Sequence, residues 1–153
     1  MANTYTQVYI QAIFAIKYRK AMIHPYWKSS LLGVIGTLIN DTDCKCIVAN
    51  GVEDHVHCFF RLKPTLSLSK VMQTVKAKSS KWINDQEWLR TRFEWQRGYG
   101  AFSYHQSLDD KVYHYIQNQE RHHQKRSFKE EYKSILNAFQ IEYNEDYLFH
   151  ELI

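Results

Sequence analysis

CKCIVANGVEDHVHCFFRL, residues 44–62, places two short apolar runs, 44–49 and 55–62, on either side of Asn50-Gly51. Two strand-length runs around an Asn-Gly pair read as a β-hairpin with its turn at those two residues. On the second arm, period-2 alternation sends His55 and His57 to one face of the strand and Val56 and Cys58 to the other. Two imidazoles then emerge side by side, a geometry that suits a divalent ion.

Working outward, residues 5–17 read as a long strand, with Val8, Ile10, Ala12, Phe14 and Ile16 at alternate positions. Residues 26–40 carry Trp27, Leu31, Leu32, Val34, Ile35, Leu38 and Ile39 behind Pro25, which predicts a first helix. A second helix is expected over 67–82, with Leu68, Val71, Met72, Val75 and Trp82 on one stripe and Lys70, Lys76, Lys78 and Lys81 elsewhere. Residues 93–104, around Gly98 and Gly100, read as a fourth strand. A helix over 108–124 follows, with Asp109 and Asp110 in its first turn, where the macrodipole favours them. The last helix is expected over 127–138, because Ser127 and Glu130 have capping-box spacing.

The order β, α, β, β, α, β, α, α predicts an α+β fold. Its first six elements match a ferredoxin-like (RRM-like) antiparallel sheet with helices on one face, followed by a C-terminal tyrosine-bearing helix. The remaining face of the sheet needs a cover. At 153 residues, 44% hydrophobic, the chain suits one domain, 1–153, and has no repeat or Pro/Gly-rich linker that would divide it.

A formal net charge of +4 gives a mild positive field that favours a polyanionic partner, although taken alone it is better explained by a balanced surface. Cys44, Cys46 and Cys58 lack the repeated Cys-x-x-Cys spacing of a zinc knuckle or the pairing of a disulfide framework, which fits a reducing cytoplasm. The first residues show no leader pattern, and no apolar run approaches the ~18 residues of a membrane span. A cytoplasmic protein with no membrane partner is therefore expected.

His55, His57 and the amide oxygen of Gln119 would make a three-ligand N/O site with positions open to water or phosphate oxygens, suited to Mg²⁺ or Mn²⁺ as a Lewis acid. Zinc fits less naturally without four ligands or thiolates. Tyr115 and Gln119 stand four apart, so one helix face carries both, and a metal held by Gln119 lies near the phenol. Read singly, the His-x-His pair is more simply incidental and Tyr115 a packing residue, and Gln119 alone says nothing. His122 and His123, beside Arg121, Lys125 and Arg126, read as a solvated or phosphate-contacting helix end with no catalytic role. Lys70, Lys78, Lys81 and Arg121 are the candidate DNA-binding cations.

The chain resembles the single-tyrosine HUH transposases of bacterial insertion sequences, including their REP-associated relatives. The stretch Glu53-Asp54-His55-Val56-His57 is similar to the family's His-hydrophobic-His motif, and Tyr115-Ile116-Gln117-Asn118-Gln119 to its Tyr-x-x-x-Gln helix. Phe14-Ala15-Ile16-Lys17-Tyr18-Arg19, Leu68-Ser69-Lys70 with Ser79-Ser80-Lys81-Trp82, and Trp95-Gln96-Arg97-Gly98-Tyr99-Gly100-Ala101-Phe102-Ser103 follow in the family's order. The resemblance implies Tyr115 as nucleophile and His55, His57 and Gln119 as metal ligands. It implies cleavage and rejoining of single-stranded DNA at hairpin-associated ends through a 5′-phosphotyrosine. It also implies a homodimer whose tyrosine helices complete the metal sites in trans and cover the open sheet face, although the REP-associated branch can be monomeric. The alternative is a non-catalytic or domesticated nucleic-acid-binding protein on the same fold.

Overall fold

A computed structural model describes residues 4–17 and 22–144. Its elements are β1 (Tyr9–Ala15), α1 (Pro25–Asp41), β2 (Lys45–Gly51), β3 (His55–Arg61), α2 (Leu68–Asp85), β4 (Gly100–Tyr104), α3 (Asp109–Gln117), α4 (Gln119–His123) and α5 (Phe128–Ala138). The four strands form one antiparallel sheet in the order β2-β3-β1-β4, the ferredoxin-like arrangement expected from the element order.

Alternation along the two central strands divides the molecule into layers. Ile10, Ala12 and Phe14 of β1 and Val56, Cys58 and Phe60 of β3 bury one sheet face against Trp27, Leu31, Ile35 and Ile39 of α1 and Val71, Met72, Val75 and Ile83 of α2. Every fourth residue of α1 thus faces the core, the stripe that a helix lying along a sheet needs. The helix begins where Pro25 needs no hydrogen-bond partner and His24 Nδ1 accepts from the Tyr26 amide at 3.1 Å. Ser67 caps α2 in the same manner, its hydroxyl accepting from the Lys70 amide at 3.1 Å.

The opposite sheet face is also covered, by helices of the same chain. Ile13, Ala15 and Phe102 pack with Phe128 and Leu136 of α5, while Val48 and Phe59 pack with Val112 and Ile116 of α3. Ser127 caps α5, accepting from the Glu130 amide at 3.2 Å as the capping-box spacing predicts. The seat of α5 on β4 is close, since a Cβ on Gly100 would meet the Tyr132 side chain, its Cε1 2.8 Å away.

Four sequence expectations change. The first strand spans Tyr9–Ala15 rather than 5–17, because Tyr9 pairs with Arg61 and Tyr104, the last residues of both neighbouring strands; beyond it the Val8 carbonyl accepts from the Leu62 amide at 2.8 Å without extending the strand. Asn50-Gly51 is not the hairpin turn. Asn50 pairs with His57 and Gly51 with Val56, and the chain reverses over Val52, Glu53 and Asp54, with the Val52 amide donating to the His55 carbonyl at 3.1 Å. The fourth strand is only Gly100–Tyr104, with Trp95 contributing an isolated bridge to Ile16.

The single helix expected over 108–124 is two, broken at Asn118. The Asn50 amide donates to the carbonyls of Ile116 and Gln117 at 2.9 and 3.1 Å, the acceptors that an unbroken helix would give to the amides of residues 120 and 121. Tyr18 and Arg19 of the 14–19 landmark lie outside the described residues.

Candidate metal and nucleophile site

His55 and His57 sit on the β3 face covered by α3 and α5, both fully buried. His55 Nδ1 lies 2.7 Å from Asp54 Oδ1 and His57 Nδ1 lies 2.9 Å from Gln11 Oε1. Carboxylate and amide oxygens only accept, so each Nδ1 donates, and the neutral tautomer leaves each Nε2 with a lone pair aimed into the site. Gln11 is itself held, its amide donating to the Tyr104 hydroxyl at 2.8 Å.

The point toward which both Nε2 atoms face is the carboxylate of Glu131 on α5, buried to 0% exposure. Glu131 Oε1 lies 3.1 Å from His57 Nε2, 3.1 Å from His123 Nε2 and 3.4 Å from His55 Nε2. Its other oxygen accepts from the Tyr115 hydroxyl and stands 3.3 Å from Gln119 Nε2. Tyr115 and Gln119 thus converge with the histidine pair as their spacing predicts, although the helix breaks between them. Here α3 and α4 come from the same chain as the histidines. Within this chain, Asn50 of β2 binds the end of α3 directly beside His57.

The ionisation of these groups follows from burial and neighbours. Burial drives the His57 imidazole down to about 4, Glu131 only partly opposing it, so the ring is neutral at pH 7 and free to ligate. Burial also lowers His55, but the Asp54 hydrogen bond and the nearby Asp54 and Glu131 carboxylates outweigh it and raise that ring above its ordinary value. For Glu131, burial favours the neutral acid, yet the surrounding imidazoles of His123, His55 and His57 hold the carboxyl well below the usual carboxylate range. Burial and then the Glu131 charge push the Tyr115 phenol far up, with Arg126 pulling weakly the other way.

The donor set fits a divalent cation. His55, His57 and Glu131 each offer a ligand atom within 4.8 Å of the others. Three buried atoms around the site, His55 Nε2, Gln119 Oε1 and His122 Nε2, have no hydrogen-bond partner among the described residues. Orphaned lone pairs facing a buried carboxylate repel it and one another unless positive charge stands between them.

Sequence reading passed over several contributors. His123 is packed at the site, its ring centroid 4.6 Å from that of His55, and His122 stacks on Tyr115 at 4.7 Å; neither is the solvated helix end expected. Their placement follows from the helix break at Asn118, after which α4 begins. Gln11 was visible as a polar residue on the buried second face of a central strand. Glu131 was visible as a carboxylate inside the Phe128, Tyr132, Ile135, Leu136 stripe of α5, where an apolar residue belongs.

The candidate DNA-binding residues divide. Lys70, Lys78 and Lys81 are exposed on α2, in the helix layer on the other side of the sheet, and Lys81 pairs with Asp85 at 2.6 Å. Arg121 is exposed on α4 near the site. A cleft of 410 Å³ opens beside Tyr115, lined by Gln11, Tyr104, Lys111 and Arg126 among others, and brings two cations outside the four DNA-binding candidates.

Residues 4–119 match the family model described as "Transposase IS200 like". Among solved structures, the fold is similar to that of a candidate transposase from Deinococcus radiodurans R1, at 15% identity and a TM-score of 0.61 over 78% of this chain and 95% of that one. It is also similar to a REP-associated tyrosine transposase bound to a REP hairpin, at 14% identity and a TM-score of 0.53 over 76% of this chain and 67% of that one. No match is found among curated proteins. Among the described residues, no helix is long and apolar enough to cross a membrane.

Proposed function

The chain belongs to the IS200-like transposase family, and on that premise we propose that it cleaves and rejoins single-stranded DNA at hairpin-associated ends, using Tyr115 as nucleophile and a divalent metal held by His55, His57 and Gln119. The observation that carries the reading is the convergence, in one buried site, of the Tyr115 hydroxyl, two outward-facing Nε2 atoms and the orphaned Gln119 Oε1.

The phenol oxygen of Tyr115 attacks a backbone phosphorus, a Tyr–O–P bond forms, the P–O3′ bond breaks, and the 3′-oxygen leaves as a hydroxyl after gaining a proton. The 5′-phosphotyrosine keeps the energy of the broken ester, so a free 3′-hydroxyl rejoins the strand by the reverse step without a nucleotide cofactor. Mg²⁺ or Mn²⁺ at the histidines would polarise the scissile phosphate and favour the phenolate. Tyr115 donates to Glu131, which orients the phenol. Its face lies against His122, which fixes the ring, and Lys111 and Arg126 line the cleft through which a phosphate backbone reaches it. Tyr115 and Gln119 reach the histidine pair within one chain, so a single protomer carries every residue of the proposed site.

The test is incubation of the purified protein with single-stranded oligonucleotides from its genomic flanks and Mn²⁺ or Mg²⁺. A denaturation-resistant protein–DNA adduct mapped to Tyr115, absent with chelator and absent in Tyr115→Phe, is expected. An adduct formed by the Phe variant refutes the nucleophile. Hairpin binding without any adduct favours the non-catalytic reading.

A further inference from the structure

From the position of its carboxylate we infer that Glu131, supplied by α5, is a ligand of the metal site, with Oε1 on the ion and Oε2 holding the Tyr115 hydroxyl beside it. This rests on the metal-dependent reading above and adds to it a residue that the family match, which ends at residue 119, does not contain.

Three observations carry it. First, Oε1 stands opposite the Nε2 atoms of both His55 and His57, at 3.4 and 3.1 Å, the atoms that their Nδ1 hydrogen bonds leave free to ligate. Second, Glu131 is a wholly buried carboxylate whose ion-pair partners among the described residues are all histidines. A buried carboxylate without Lys or Arg against it is stable where a metal supplies the opposing charge. Third, two imidazoles and an amide bring no charge to a divalent ion, so a ligand set without Glu131 would leave two positive charges buried. One carboxylate halves that charge and adds the hard oxygen that Mg²⁺ and Mn²⁺ prefer over imidazole.

The arrangement also gives α5 a purpose beyond covering the sheet. Phe128 stacks on the His55 ring at 4.0 Å and Tyr132 packs against Phe128, so the helix that delivers the carboxylate also fixes one of the rings it faces. His123, 3.1 Å from Oε1, is placed to orient the carboxylate from outside the ligand set. Because one carboxylate touches both the metal position and the phenol, the nucleophile is held in a fixed relation to the ion before DNA arrives.

The test measures Mn²⁺ uptake by the full chain from the loss of the free-ion electron paramagnetic resonance signal, without DNA. Glu131→Gln keeps the shape and removes the charge; its Mn²⁺ affinity is expected to fall by about a hundredfold or more, the upper end of what outer-sphere partners cost. His57→Gln serves as the reference for a lost ligand. Wild-type uptake by Glu131→Gln, with His57→Gln defective, overturns the inference and leaves the metal-dependent reading intact. No uptake by the wild-type chain overturns both. If Glu131→Gln melts early in chelator, Glu131→Asp carries the test. It keeps the charge but withdraws it by one methylene, so weakened uptake is expected and undiminished uptake overturns the ligand role.

Discussion

Gln11→Met perturbs the site from beneath. Gln11 is 1% exposed in the middle of β1, and its amide bridges His57 Nδ1 at 2.9 Å and the Tyr104 hydroxyl at 2.8 Å. Methionine fills nearly the same volume with no amide, so the His57 N–H is left buried without an acceptor. Leaving one buried donor unsatisfied costs about 1–3 kcal/mol. For a chain of this length each kcal/mol lowers the melting temperature by about 2–4 °C, so a drop of about 2–12 °C is expected in chelator. A second consequence concerns the metal. With no acceptor at Nδ1 the ring is free to turn or to take the other tautomer, and loss of such an outer partner weakens metal binding by about 10–100-fold. Thermal melts in chelator and Mn²⁺ titration of the same preparation read the two effects separately. Tyr104→Phe is the control, because it leaves the Gln11 oxygen on His57 and removes only the half-buried outer contact. A Gln11→Met chain that melts with the wild type and takes up Mn²⁺ equally well would refute the claim that Gln11 orients His57.

Other outcomes follow from the same geometry. A Cβ at Gly51 would sit against the His55 carbonyl oxygen and 3.2 Å from Val56 Cα, both backbone atoms, so Gly51→Ala is expected to destabilise by about 1–3 kcal/mol and weaken Mn²⁺ uptake by displacing His55; denaturant melts and the Mn²⁺ titration check it. Ile35→Ala empties a fully buried position between α1 and the sheet and is expected to cost about 2–5 kcal/mol without altering the metal affinity of the folded chain. Lys111→Ala with Arg126→Ala removes two cations from the cleft beside Tyr115, so the slope of log affinity for single-stranded DNA against log salt is expected to fall by about 1.4, at about 0.7 per contact; the same double change at Lys70 and Lys78 is expected to alter it less. Burial lowers the Lys76 ammonium to about 8, where it donates to the carbonyls of Gln96 and Gly98. Between that value and 10.5 the unfolded chain binds more protons than the folded one, so this residue's contribution to stability rises with pH across the window. Denaturant unfolding at pH 7.5 and pH 9.5 should show that rise in wild type relative to Lys76→Met, and equal pH dependence in the two would contradict it.

The sequence by itself determined the layered α+β fold, because alternation in β1 and β3 and the fourfold spacing of Trp27, Leu31, Ile35 and Ile39 are local properties of the chain. It also paired His55 with His57 and Tyr115 with Gln119, since a strand period and a helix turn fix those neighbours without reference to anything distant. The 14–19, 79–82 and 95–103 landmarks were legible in the same sense, although only the structure gives two of them a reason: the Trp95 indole donates to Ser79 at 2.9 Å.

Tertiary structure alone decided what surrounds the site. Asn50 looks like a turn residue because Asn-Gly suits a turn, but its amide has a better use in binding the end of α3, sixty-six residues away. Gln11, Glu131 and His123 are polar residues whose partners lie forty-six, seventy-four and eight residues distant, and no local pattern sums over such separations. Their one sequence signal is a polar group where burial is expected. That signal says a partner must exist and leaves its identity to the packing of α5 against the sheet, because a buried charge takes its meaning from the groups that close around it.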